Sequence, residues 1–277
     1  MHALYKDFAK DSKDLLTKNF SAPGDWKIEN KAKAPKGSYA IGTNSNVRGD
    51  VSIDVEGLTA DGACYGKLTL TPKELQDVKA TLRVENWQGQ RVEGIVSQKG
   101  QPLKNVTVEV NHETVKPLMN GRLRLNDKVT EKAVELGLSL AAMDGVQVGC
   151  GATYDFKSHH SSWSVACRAV TKANTTVTLQ TDALRSLNAG VFATLPLHSK
   201  FQPRVAANVS FDIPSNTWDG AVGAEWGCRV ILGNTAKARV NAKLEWMVSY
   251  VAALKDGWAL TLSFDRQMKA GVTLTRN

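Results

Sequence analysis

No uninterrupted apolar run in these 277 residues approaches the ~18 that a membrane-spanning helix requires, and the mean hydropathy is only −0.26. Passage through a bilayer on helices is therefore excluded. Passage on strands is not, because transmembrane strands alternate apolar and polar residues and average out as a soluble chain does. A secretory signal is missing too, since the first ~20 residues hold no apolar h-region. Asp7, Asp11 and Asp14 put acid where transit peptides avoid it. Cysteine is scarce: Cys64, Cys150, Cys167 and Cys228 form no CxxC or other tight metal spacing. Without a secretory route they read as small apolar residues in a reducing compartment. The sequons at Asn19, Asn105, Asn174 and Asn208 are then chance matches.

Catalytic signatures are equally absent. No GxSxG, P-loop or HExxH occurs, and no acid/base constellation can be assembled from spacing, so neither an enzyme nor a cofactor is expected. His159 and His160 read as a loop tip rather than a metal site, because adjacent residues on a strand face opposite ways. The net charge is +8. With no Lys/Arg-rich run and no aromatic platform on the basic faces, nucleic acid is not the expected partner.

Hydrophobic residues make up 42 % of the chain, enough to exclude wholesale disorder. Residues 3–18 read as one short amphipathic helix with Leu4, Tyr5, Phe8, Leu15 and Leu16 on one stripe and Lys6, Lys10, Lys13 and Lys18 elsewhere. Pro23-Gly24 breaks it. Thereafter the period changes to two. Trp26, Ile28, Ala32 and Ala34 alternate with Lys27, Glu29, Lys31 and Lys33. Val146 to Phe156 alternates with Gln147, Gly149, Gly151, Thr153 and Asp155. Ala236, Ala238, Val240 and Ala242 oppose Lys237, Arg239, Asn241 and Lys243, and Trp258 to Phe264 repeats the pattern. Short turns such as Ala60-Asp61-Gly62, Asp144-Gly145 and Lys255-Asp256-Gly257 carry hairpin chemistry. Roughly nineteen strand candidates follow the leading ~24 residues, with a repeat of about 13 that suits a tilted bilayer crossing.

Such a sheet must close, since open edges aggregate. A soluble sandwich or lipocalin-like binding protein would turn the apolar faces inward; a transmembrane barrel turns them to lipid. The strand number implies a barrel wide enough to enclose water. Trp26, Trp87, Trp218, Trp226, Trp246 and Trp258 sit near strand ends, as an interfacial girdle requires. Small residues such as Ala236, Ala238 and Ala242 suit a lipid face better than a dense core. Both closures stay open on pattern alone. In the barrel reading Lys27, Lys31, Lys33, Lys79, Arg83, Lys237, Arg239 and Lys243 point into the pore, with Asp54, Glu56, Glu109 and Asp155 among them. The wall is then mixed but basic on balance.

The ends of the chain carry a resemblance. Leu4-Tyr5-Lys6-Asp7-Phe8-Ala9-Lys10, Asp14-Leu15-Leu16-Thr17-Lys18 and Trp26-Lys27-Ile28-Glu29 resemble the opening of the mitochondrial voltage-dependent anion channels. Leu254-Lys255-Asp256-Gly257-Trp258-Ala259-Leu260-Thr261-Leu262-Ser263 is similar to that family's strand near the C-terminus. Lys269, Gly271 and Leu274 resemble the insertion signal of mitochondrial outer-membrane barrels, although Arg276 stands where a second hydrophobic residue ends it. The resemblance implies an all-β transmembrane antiparallel barrel of about 19 strands over residues 25–277. Residues 1–24 would form a helix and hinge inside the pore. It further implies a voltage-dependent, weakly anion-selective channel of the mitochondrial outer membrane that passes ATP, ADP and phosphate. Lys10, Lys13 and Lys18 would line its constriction. The partners are then the lipid bilayer, small anions and nucleotides, with self-association left open. A protein-translocation pore of the same superfamily is the runner-up, and it lacks here the long N-terminal extension usual to it.

Overall fold

The computed structural model describes residues 3–31, 33–72, 77–99, 106–114, 121–171, 174–196, 203–228 and 233–276, without the side chains of 86 and 87. Alternation at period two drives every strand. In order these are β1 (Trp26–Asn30), β2 (Ser38–Asn46), β3 (Val51–Leu58), β4 (Cys64–Leu70), β5 (Val78–Trp87), β6 (Gln90–Gln98) and β7 (Val106–Thr114). Then come β8 (Gly121–Lys128), β9 (Ala133–Met143), β10 (Val146–Asp155), β11 (His160–Val170), β12 (Thr175–Asp182) and β13 (Ser186–Thr194). The last are β14 (Arg204–Asp212), β15 (Thr217–Gly227), β16 (Thr235–Asn241), β17 (Trp246–Ala253), β18 (Trp258–Asp265) and β19 (Ala270–Arg276). Each pairs antiparallel with its sequence neighbour, and β1 closes the sheet by running parallel to β19, with Trp26 opposite Val272. Closure leaves no unpaired edge, and the odd strand number makes the closing pair parallel.

Burial fixes which face is which. Leu82, Leu179 and Val222 are 64 %, 59 % and 57 % exposed, whereas Lys237 is 3 % and Ser263 1 % exposed. The apolar face therefore points outward and the polar face inward, the reverse of a soluble protein, so the soluble alternative does not hold. This is a transmembrane barrel whose greasy wall meets lipid. Trp26, Trp163, Trp218, Trp226, Trp246 and Trp258 all lie on the outward face by register; the Trp87 side chain lies outside the described residues. No described helix is long and apolar enough to cross a membrane.

Turns after odd-numbered strands form one rim and turns after even-numbered strands the other. On the odd rim most left-handed positions fall on glycines such as Gly62 (φ 75°) and Gly145 (φ 76°), with Gln88, Asn174 and Asp256 besides. On the even rim, apart from Gly49, they fall on larger residues, among them Leu184 (φ 56°), Leu244 (φ 58°) and Met268 (φ 59°), each strained by about 1 kcal/mol or more.

Three expectations are corrected. The helix over residues 3–18 is interrupted: a 3-10 turn (Tyr5–Asp7) is followed by α1 (Lys10–Thr17), with Ala9 outside helical geometry between them. The first strand stops at Asn30 instead of continuing to Ala34; the Lys31 N–H still reaches the Arg276 carbonyl before the chain leaves for the odd rim, and Ala32 lies outside the described residues. β16 ends at Asn241, whose side-chain oxygen accepts from the Lys243 and Glu245 N–H groups, so Ala242 and Lys243 belong to a turn.

Candidate pore lining

The N-terminal segment lies within the barrel because its two faces differ. Ser12, Leu15 and Leu16 occupy one face of α1 at helical spacing and are buried. Leu15 and Leu16 pack on Ala206 of β14, with Phe192 of β13 and Ala221 of β15 alongside. That patch is a dry cluster on an otherwise wet inner wall. Glycines make close approach possible. A Cβ on Gly149 or Gly151 of β10 would strike the Tyr5 ring, one on Gly190 would meet Ser12 Oγ at 3.2 Å, and one on Gly223 would meet Leu16 at 2.8 Å.

Polar contacts fix both ends of the segment. The Ala3 carbonyl accepts from Ser139 Oγ at 2.7 Å, and the Tyr5 hydroxyl donates to Ser164 Oγ at 2.6 Å. Lys6 pairs with the buried Glu113. Past α1, Arg239 donates to the Leu16 carbonyl at 2.8 Å and Lys237 to the Lys18 carbonyl at 3.0 Å. These carbonyls lack helical partners and form the negative end of the helix dipole, so two cations suit them. Lys237 is itself held by Glu225 at 3.0 Å, which also pairs with Arg204. Phe20 stacks under Arg239 at 4.8 Å. Ser249 Oγ donates to the Asn19 carbonyl at 2.6 Å, Ser263 Oγ accepts the Ser21 N–H at 2.9 Å, and the Gly24 N–H reaches the Ala270 carbonyl at 2.8 Å.

The structure thus separates the basic residues singled out from sequence. Lys10, Lys13 and Lys18 project from the exposed side of α1; Lys18 pairs with Asp14 at 2.7 Å and Lys10 approaches Asp7 at 3.9 Å. Lys27 and Lys31 converge on Glu29 at 3.3 and 3.4 Å. Lys33 is exposed beyond β1, and Lys243 is exposed in a turn, so neither lines the wall as expected. Lys237 and Arg239 face inward but are committed to α1.

The wall is not left basic on balance, because its charges interleave. Lys67 bridges Asp54 and Glu56 at 2.9 and 3.0 Å, Arg83 meets Glu85 at 2.6 Å, Arg91 meets Glu85 at 2.8 Å, and Lys128 meets Glu135 at 2.7 Å. Cross-strand neighbours of opposite sign attract, so the ladder neutralises itself. A recess of about 460 Å³ beside Tyr5, Lys6, Arg124, Glu135 and Asp182 shows that the segment leaves the lumen unfilled. In the insertion-signal triplet, Lys269 sits in a turn, Leu274 faces outward between Leu260 and Ile28, and Gly271 faces inward under the Ala22 and Ser21 carbonyls, where a Cβ has no room.

Sequence reasoning missed the glycine bed. Its signal was present in β10, where Gly149 and Gly151 take places in the polar series that elsewhere hold larger residues. It also missed Glu225, which is buried and organises two cations.

A family model described as eukaryotic porin matches residues 3–270. No curated protein matches the chain. Among solved structures, a fivefold mutant of the porin of Rhodopseudomonas blastica aligns over 75 % of this chain and 88 % of its own, at 7 % identity and a TM-score of 0.48. A triple mutant of the same porin gives the same values.

Proposed function

Because the chain belongs to the eukaryotic porin family, we propose that this pore-forming outer-membrane channel is a voltage-responsive, weakly anion-preferring route through the mitochondrial outer membrane for ATP, ADP, phosphate and other small metabolites. The carrying observation is the inverted barrel, lipid-facing outside and lined inside by paired charges. A wet, polar path lowers the barrier that hydrocarbon presents to charged solutes, and the sign of unpaired charge along it sets preference. Pairing along the wall keeps that preference weak. Lys13 on α1 and Lys79 on β5 have no carboxylate partner among the described residues, and they supply the excess that attracts anions. Charges in the bore respond to potential by ~2.3 kcal/mol per charge per 100 mV, which provides the voltage response. Lys10, Lys13 and Lys18 meet nucleotide phosphates as point charges on the open side of α1.

Reversal potential in a salt gradient tests this reading. Anion preference in the high-conductance state is expected, and Lys10→Glu, Lys13→Glu and Lys18→Glu together should abolish or invert it. Cation preference of the unaltered channel overturns the assignment, and an unchanged ratio in the triple variant removes α1 from the selectivity element.

A further inference from the structure

The two rims differ in chemistry in a way that conduction does not require. On the odd rim the outward apolar band stops with Met143 at the end of β9 and Leu254 one residue past β17, and the turns beyond are Asp61-Gly62, Asp144-Gly145 and Lys255-Asp256-Gly257. On the even rim the band continues over the turn tips. Phe156, Leu184, Leu244 and Met268 stand 51 %, 64 %, 71 % and 71 % exposed. Each is next to a cation: Lys157, Arg185, Lys243 and Lys269. None of these four cations forms a side-chain ion pair among the described residues, although Asp155 stands close to Lys157. Three of the tips also hold left-handed backbone, at φ 56° to 59°, where glycine or asparagine would relax the turn. Exposure to water gives no reason to keep large apolar side chains at strained positions.

We infer that the even rim is a membrane-seating surface: its turn tips enter the bilayer interface, and the adjoining cations bind the phosphates of anionic lipid headgroups. Two features select lipid as the occupant. At Phe156 and Leu244 the tip continues the lipid-facing wall, with Phe156 packed edge-on against the outward Tyr154 at 4.8 Å and Leu244 following Val240 and Ala242. An apolar side chain beside a basic one also matches the boundary between acyl tails and charged headgroups. The odd rim, where Gly37, Gly62, Gly145 and Gly257 take the tips and Lys36 and Lys255 stand without a large apolar side chain at the tip, stands in water. The barrel is therefore seated asymmetrically, one rim sunk to headgroup depth and the other projecting. This rests on the transmembrane reading of the wall, and the experiment separates the two.

The four native cysteines are replaced by alanine, and an environment-sensitive NBD fluorophore is attached after Leu184→Cys, Leu244→Cys or Met268→Cys. Ala60→Cys reports the odd rim and Val148→Cys the middle of the wall. The proteins are reconstituted in phosphatidylcholine vesicles with and without phosphatidylglycerol. Labels at 184, 244 and 268 should be quenched several-fold more by doxyl lipid than by iodide, like the label at 148, and the label at 60 the reverse. Phosphatidylglycerol should strengthen lipid quenching at the even rim, and Lys157→Glu, Arg185→Glu, Lys243→Glu and Lys269→Glu together should remove that gain. Even-rim labels as open to iodide as the one at 60, with 148 still lipid-quenched, overturn the seating and leave the barrel intact; the tips then serve a protein partner. A label at 148 open to iodide overturns the transmembrane wall itself. Indifference to phosphatidylglycerol overturns the headgroup contact. Should a cysteine variant fail to fold, Met268 of the native chain reports the same contact, since its oxidation by aqueous peroxide should slow several-fold when phosphatidylglycerol is present; an unchanged rate counts against the proposal.

Discussion

From β2 to β6 the inner wall stands bare, and from β9 to β19 it lies under the N-terminal segment, yet both stretches share one backbone plan. The bare wall holds its inward charges in ladders, Lys67 with Asp54 and Glu56, Arg83 with Glu85 and Glu93. Where the segment lies against it, the covered wall presents small groups, with Ser139, Gln147, Gly149, Gly151, Thr178, Gly190 and Ala206 inward, alongside inward charges such as Glu135, Arg168, Arg204 and Glu225. It retains Lys237 and Arg239 where they reach helix carbonyls. Glu113 marks the seam, contacting Lys6 from the segment as well as Arg124 from the wall. The lesson is that paired inward cations in this barrel serve two duties. On the bare side Lys67, Arg83 and Arg91 balance neighbouring acids in reach of solvent, and on the covered side Lys237 is a buried fastener, with Arg239 beside it on the Leu16 carbonyl.

The sharpest way to break that distinction is to delete one acid on each side. Glu225→Ala removes the charged partner of Lys237, whose side chain is nearly sealed from water and keeps the Lys18 carbonyl and the face of Phe20. An uncompensated buried ammonium costs about 3 kcal/mol. Glu56→Ala leaves Lys67 with Asp54 in a solvent-accessible ladder, so its loss stays below about 1 kcal/mol. Denaturant unfolding in detergent micelles measures both. Equal losses would erase the difference between fastener and ladder.

Much of this was legible in the sequence, and the illegible part has a physical reason. Alternation reports which residues share a face, so strand number, inward lysines and outward valines could all be read from period two alone. Pairing across strands depends on register, which no single strand carries. Hence Lys237 and Arg239 looked like pore-lining charges until β15 and the end of α1 were placed beside them. Lys33 and Lys243 continued the polar series on paper, but strand ends are set by where partner carbonyls run out, not by side-chain polarity. The odd-rim turns announced themselves through Asp-Gly pairs, whereas the even-rim turns put Leu and Met at left-handed positions and left no such mark.

The glycine bed offers a second, smaller contrast. Gly149→Val pushes a branched side chain into the Tyr5 ring, and Gly223→Val does the same to Leu16. Overpacking of this kind costs about 1–3 kcal/mol. The strain is released by lifting the segment rather than by opening the barrel, so hydrogen exchange over Lys10–Thr17 should rise while the wall keeps its protection. Leu16→Ala should raise the same exchange by about 2 kcal/mol through lost packing on Ala206. Gly66→Val, where a Cβ meets nothing within 4 Å, should leave exchange in α1 unchanged. A response there equal to that of Gly149→Val would mean that the covered wall is no more closely fitted than the rest.

The smallest expected effect concerns Tyr5, the aromatic end of the fastened segment. Burial against β10 pushes its phenol ionisation upward; the Ser164 hydrogen bond pulls the other way, and Asp182 and Cys150 add to the rise. Because the docked phenol ionises later than a free one, docking keeps its full contribution below the ordinary tyrosine value of about 10 and loses it as pH climbs through the docked value. Alkaline solution should therefore favour release, seen as faster tryptic cleavage within residues 3–18. Comparison with Tyr5→Phe isolates the phenol, since the substitution keeps the ring over Gly149 and Gly151 and removes only the hydroxyl. It should weaken docking by about 1 kcal/mol near neutral pH and flatten the alkaline rise. A rise equally steep in Tyr5→Phe would show that the phenol does not set the alkaline release, and would leave ring packing over Gly149 and Gly151 as the contribution of Tyr5 to docking.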